Sequence, residues 1–117
     1  MKNNPWDPIV NLREHSSLES RRPLLIAHRG GVLAPHAPEN SMAAISLAAD
    51  FRYDLVELDV REAIDGVPVL YHDVTLERSC GLEGRVEDFS SEELTKITYL
   101  GSTQQIITLE QALGLCR

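Results

Sequence analysis

Pro23-Leu24-Leu25-Ile26-Ala27 is a short continuous apolar run that ends on His28 and is broken at once by Gly30-Gly31. An apolar run without polar alternation, closed by a glycine break, is the pattern of a strand buried in a parallel sheet. The loop after it continues through Pro35 and Pro38 to Asn40 and Ser41, two good helix N-cap residues. Met42, Ile45, Leu47, Ala48 and Ala49 then recur at helical spacing, so a helix is expected over about 41–51, packed back on the sheet by Ile45 and Ala48/Ala49. Leu55–Val60 reads as a second strand with strict alternation. Leu55, Glu57, Asp59 and Arg61 face one way, and Val56, Leu58 and Val60 the other. A strand with an apolar row on one side and two acids on the other is not a simple core strand.

Asp65-Gly66 is a two-residue hairpin signal, and Val67–His72 follows as a third strand. With those two residues at the turn, Val60 pairs with Tyr71 and Asp59 lies opposite His72, about 5 Å away at Cβ. Residues 77–89 read as a loop. Ser90 or Ser91 caps a helix running to about Ile97, and Thr108 caps a last helix, Leu109–Cys116, with Leu109, Ala112, Leu113 and Cys116 on one face. Residues 1–22 are polar, with a short helix expected around Ile9–His15, and read as a leader or peripheral cap of the unit at 23–117.

The chain has 117 residues, enough for one modest domain, and 43% of them are hydrophobic, which excludes disorder as the dominant state. Its formal charge of −7 argues against a nucleic-acid partner and against docking to an anionic membrane. A phosphate substrate would need a local positive site, from a metal or an arginine, within that acidic field. Cys80 and Cys116 lie in no metal-ligand spacing and read as two reduced thiols. The first 20 residues lack the apolar stretch of a secretory signal, and no stretch approaches a membrane span, so a cytoplasmic location is expected.

The chemistry-bearing residues sit at strand ends and in the loops after them, where α/β enzymes place catalytic groups. Glu57 and Asp59, two apart on a strand, project to one side, and hard cations such as Mg²⁺ or Ca²⁺ take carboxylate oxygens. His28 and His72 can act as general acid or base near neutral pH. Arg29 can grip phosphate oxygens with two N–H groups, and the glycines beside it let a substrate approach the backbone. Glu39 could orient Arg29 or a metal-bound water, while Asn40 reads as a helix cap. His15 and His36 read as surface histidines, and Glu110 as part of a cap.

His28-Arg29-Gly30, Pro38-Glu39-Asn40, Glu57-Leu58-Asp59, Asp65-Gly66 and His72-Asp73, followed by Thr108-Leu109-Glu110-Gln111-Ala112-Leu113, resemble the N-terminal part of glycerophosphodiester phosphodiesterases. The resemblance spans about 24–116. Ser41 stands where threonine is usual, and Val32–Pro38 is an extra stretch. The resemblance implies a TIM-type (β/α) barrel, here only its N-terminal part with about three strands and three helices. It implies His28 and His72 as the acid/base pair, Glu57 and Asp59 as ligands of Mg²⁺ or Ca²⁺, and Arg29, with Glu39, at the phosphate. The implied reaction hydrolyses a small glycerophosphodiester to glycerol 3-phosphate and an alcohol, with the neighbouring glycerol hydroxyl attacking phosphorus first. A full barrel needs about 250 residues, so an incomplete sheet is expected to expose strand edges and to favour self-association. Two other readings stay open: a non-catalytic truncated remnant, and a related phosphodiesterase of the phospholipase C or sphingomyelinase D type.

Overall fold

The computed structural model describes residues 23–116; the leader and the helix expected around Ile9–His15 lie outside them. The order is β1 (Ile26–Ala27), a 3-10 turn at His28–Gly30, α1 (Met42–Asp50), β2 (Leu55–Val56), β3 (Val60–Glu62), β4 (Pro68–Leu70), α2 (Glu77–Cys80), a 3-10 turn at Val86–Asp88, α3 (Ser91–Leu94) and α4 (Leu109–Leu115). β1 and β2 pair in parallel, with Ile26 opposite Leu55 and Ala27 opposite Val56, and α1 crosses between them. This is one parallel β-α-β step, followed by an antiparallel β3–β4 hairpin.

Local chemistry explains the elements. Ser41, not Asn40, caps α1: its Oγ accepts from the Ala44 N–H at 3.1 Å. α1 buries Ala44, Ile45 and Ala48, while Ala49, expected on that face, is exposed. Ser90 and Glu93 form a reciprocal capping box on α3, and Thr108 and Gln111 do the same on α4. Such a box satisfies two orphan N–H groups at once. On α4 only Ala112 is buried; Leu113 and Cys116, expected on its packed face, are exposed. Residues 77–89 hold α2 and a 3-10 turn rather than a loop alone.

The expected strand over Leu55–Val60 is split because the chain changes partner. Glu57 still donates its N–H to the Ala27 carbonyl at 3.0 Å, whereas the Asp59 carbonyl accepts from the Tyr71 N–H at 3.0 Å. The hairpin register is one residue from the expected one: Val60 pairs with Leu70, Arg61 with Val69 and Glu62 with Pro68. The Ala63 N–H bonds to the Val67 carbonyl, so the loop is Ile64-Asp65-Gly66, with Gly66 at φ 81° and no positive φ at Asp65. A two-residue type I′ turn needs positive φ at both positions, and a three-residue loop needs it only at its last. Asp65 is held instead by the Ser91 N–H at 3.2 Å and the Ser91 hydroxyl at 2.7 Å, which tie the turn to α3.

β4 lies between two cores. Val69 and Tyr71 join Leu76, Val86, Leu94 and Ile106 on one side. Leu70 joins Ile45, Ile107 and Ala112 on the other. Alternation along the strand sends successive side chains to opposite faces, and each finds apolar cover. Both cysteines are free thiols, Cys80 buried and Cys116 exposed.

Candidate active site

The site is built where the ends of β1 and β4 meet the loop before α1. His28-Arg29-Gly30 turns sharply after β1, with Arg29 at φ 53° and Gly30 at φ 82°. Gly30 sits against α1 so closely that a Cβ there would lie 3.1 Å from the Ala44 Cβ. Its N–H donates to the Glu57 carbonyl at 3.1 Å, and the Asn40 N–H donates to the Arg29 carbonyl at 2.8 Å. The turn is thus laced to both the second strand and the helix start.

This geometry aims Arg29 inward. Its Nη1 donates to Glu39 Oε2 at 3.1 Å, and its Nη2 stands 2.8 Å from His72 Nε2. Its Nε lies 3.8 Å from Asp59 Oδ2, is buried and has no hydrogen-bond partner. Asn40, wholly buried at φ 59°, clamps Asp59 from both ends: its Nδ2 donates to the carboxylate at 3.0 Å, and its Oδ1 accepts from the Asp59 N–H at 3.0 Å. Asn40 is therefore a positioner of Asp59, not the cap expected of it.

His72 does not lie opposite Asp59, because the register moved. Its carboxylate neighbour is Asp73, whose Oδ1 is 2.6 Å from His72 Nδ1. Arg78 grips the same carboxylate with Nε at 2.7 Å and Nη2 at 3.0 Å. The Arg78 guanidinium, and then His72, hold the Asp73 carboxyl far below the usual carboxylate range. Arg61 pins the backbone here, donating to the His72 carbonyl from Nε at 2.9 Å and Nη2 at 2.7 Å.

Four of the six residues expected at the site therefore share one network: Arg29, Glu39, Asp59 and His72. The other two, His28 and Glu57, make a separate pair, Nε2 to Oε2 at 3.5 Å, and the His28 side chain is 74% exposed. No side-chain hydrogen bond or ion pair among the described residues joins that pair to the Arg29 network. His36 is exposed, as expected, and His15 lies outside the described residues. Sequence reasoning named Asp73 only within the His72-Asp73 motif and Arg61 only by its face of the strand, gave neither a role, and missed Arg78. Adjacency to His72 was the available signal for Asp73. Nothing local marks Arg78 or Arg61, whose partners are set by tertiary contact.

Glu57 and Asp59 offer the oxygen donors that a hard divalent cation takes. Glu57 is 42% exposed at its side chain, and Asp59 has one oxygen engaged by Asn40. Among the described residues no group of three or more His, Cys, Asp or Glu is placed to hold a metal ion. The donor chemistry fits such a cation, and these two carboxylates are a partial set for it.

Residues 28–116 match the model of the glycerophosphoryl diester phosphodiesterase family. The chain belongs to that family. Glycerophosphodiester phosphodiesterase 1 of Bos taurus is 36% identical over 120 residues, covering 95% of this chain and 36% of that protein. A glycerophosphodiester phosphodiesterase of Caldanaerobacter subterraneus is 43% identical over 74 residues, 63% of this chain and 30% of that one. Among solved structures, a glycerophosphoryl diester phosphodiesterase of Parabacteroides distasonis superposes with a TM-score of 0.76 at 36% identity, covering 83% of this chain and 35% of its own. An Oleispira antarctica phosphodiesterase, solved in complex with the product sn-glycerol-3-phosphate, gives 0.71 at 32% identity, covering 80% of this chain and 40% of its own. The chain spans 36% of the length of the mammalian relative it matches. Its fold is the N-terminal portion of the family's TIM barrel.

Proposed function

We propose that this chain carries a catalytic site that hydrolyses glycerophosphodiesters to glycerol 3-phosphate and an alcohol. The observation that carries the reading is the convergence of Arg29, Glu39, Asp59 and His72 on one network beneath a glycine turn, on a family scaffold. In the relatives the same family name is attached to phosphodiester cleavage, and one structure holds sn-glycerol-3-phosphate.

His72 is the candidate base. A guanidinium only donates, so the nitrogen facing Arg29 holds a lone pair, which becomes free to take a proton from the attacking glycerol hydroxyl once Arg29 Nη2 turns from it to phosphoryl oxygens. His28, exposed beside Glu57, is the candidate donor to the leaving alkoxide; the cyclic phosphate that this attack leaves is then opened by water to glycerol 3-phosphate, with the two histidines exchanging roles. Arg29 presents a fixed positive group to phosphoryl oxygens. Glu57 and Asp59 would hold Mg²⁺ or Ca²⁺, which when bound supplies charge against the phosphoryl oxygens.

The test is release of glycerol 3-phosphate from glycerophosphocholine by the chain, with and without chelator and beside Glu57→Gln/Asp59→Asn. Chelator-sensitive turnover that the double substitution abolishes supports the reading; its absence sinks it. A second reading, a chain that acts only by association, is favoured by the partial carboxylate set and by the edge of β1 that no strand pairs among the described residues, where Leu25 and Ile26 are 52% and 54% exposed. The related phospholipase C or sphingomyelinase D chemistry would show as turnover of a lipid phosphodiester in place of glycerophosphocholine.

A further inference from the structure

Arg78 stands on α2, five residues after Asp73. Its side chain is 52% exposed, yet its whole fork is engaged. Nε and Nη2 hold the two oxygens of Asp73, and Nη1 donates to Glu39 Oε1 at 2.6 Å. Glu39 gives its other oxygen to Arg29, Arg29 faces His72 Nε2, and His72 Nδ1 returns to Asp73. The five side chains close a ring: Arg78, Asp73, His72, Arg29, Glu39.

The ring constrains the imidazole from both sides. The Asp73 carboxylate, ionised beside Arg78, can only accept, so His72 Nδ1 must carry a proton. The Arg29 guanidinium can only donate, so His72 Nε2 must be bare. Both contacts select the same neutral tautomer. Arg78 is the one member that touches both anions of the ring, and so holds both neighbours of the imidazole in place. Planar bidentate recognition of Asp73, with a third N–H on Glu39, is a task for guanidinium that a single ammonium does not perform.

We infer that Arg78 is a positioning residue. Through Asp73 and Glu39 it locks His72 in the Nδ1-protonated tautomer, with the Nε2 lone pair directed at the Arg29 guanidinium. The inference rests on the reading of His72 as a proton-transfer group, but its structural half, the tautomer, can be read without any turnover. A plain surface ion pair tethering α2 would affect stability and leave the imidazole unchanged.

The experiment is long-range ¹H–¹⁵N spectroscopy of the histidine-labelled chain, above the pH at which histidine titrates. Wild type, Arg78→Gln, Arg78→Lys and Asp73→Asn are compared. Wild-type His72 is expected to show one protonated Nδ1 and one bare Nε2. Arg78→Gln is expected to give a tautomer mixture with the Nε2–H form raised several-fold, and Arg78→Lys to restore the lock only in part. In the turnover assay, Arg78→Gln is expected to lower kcat roughly ten- to hundredfold with a smaller change in KM, as for a misplaced catalytic group. Wild-type His72 protonated on Nε2 overturns the inference without recourse to any variant. So do unchanged His72 nitrogen shifts in a folded Arg78→Gln protein, or, where that variant does not fold, in Asp73→Asn. The expected tautomer in a wild-type chain that releases no glycerol 3-phosphate overturns the catalytic reading and leaves Arg78's hold on His72 standing.

Discussion

The Tyr99 hydroxyl is buried beside the stacked ring of Tyr71 and has no hydrogen-bond partner among the described residues. An unsatisfied buried hydroxyl costs about 1–3 kcal/mol, so Tyr99→Phe is expected to raise stability by about 1 kcal/mol in urea unfolding at neutral pH. Burial pushes the phenols of Tyr71 and Tyr99 up. A group whose folded value is raised contributes stability below its unfolded value and loses it as pH rises. The wild type should therefore weaken above about pH 10, with a shallower alkaline decline in Tyr99→Phe. Asp73 has the opposite sign. Arg78 and His72 depress it, so its contribution is present above about pH 4, its unfolded value, and is lost as acid protonates it. Asp73→Asn should flatten the acid limb of a stability–pH curve between about pH 4 and 2; an unchanged limb would mean that Asp73 is not held as described.

The elements that build the site depend on a few local devices. Gly30 combines a left-handed φ of 82° with a Cβ position 3.1 Å from Ala44. Gly30→Ala meets both penalties, and a loss of about 1–3 kcal/mol is expected from backbone strain and displacement of α1. Because Arg29 is the adjacent residue, the same variant should lose turnover out of proportion to its stability. Thermal unfolding measured beside the assay checks the pair of effects. Ser41 caps α1 from a fully buried position, so Ser41→Ala removes a cap worth about 1 kcal/mol. The hairpin shows how an element can be legible while its register is not. Asp65-Gly66 correctly marks the reversal. The loop's third residue, Ile64, is recruited because its N–H donates to the Phe89 carbonyl at 2.9 Å and Asp65 is taken by Ser91. Those partners lie over 20 residues away in the chain, beyond the reach of any turn rule.

At the scale of the molecule, two cores cover β4 on both faces, while β1 and β2 pair with each other and leave Leu25, Ile26 and Phe51 exposed. An apolar strand with an open edge is a template for pairing. Sedimentation of the chain is expected to show concentration-dependent association, reduced in Ile26→Lys; a monomer at every concentration would mean that this edge is not sticky. Among the described residues no helix is long and apolar enough to cross a membrane. With a net charge of −7, any phosphodiester that the proposed site takes would meet its guanidiniums inside a repelling field.

The strand before His28, the capped helix after Ser41 and the reversal at Asp65-Gly66 were legible in one dimension, whereas the burial expected of Leu25 and Ile26 and the continuous strand carrying Glu57 and Asp59 were not found. Each legible feature is a local pattern: an apolar run closed by glycines, a side-chain cap within three residues, or a glycine where φ must be positive. Which carboxylate stands beside His72 was not legible. It depends on a one-residue register, and a shift of one exchanges every cross-strand neighbour. The roles of Asn40 with Asp59 and of Arg78 with Glu39 join positions 19 and 39 residues apart. Long polar side chains reach whatever partner the packing brings within hydrogen-bond distance. Only the folded chain decides that Arg78 completes the ring around His72.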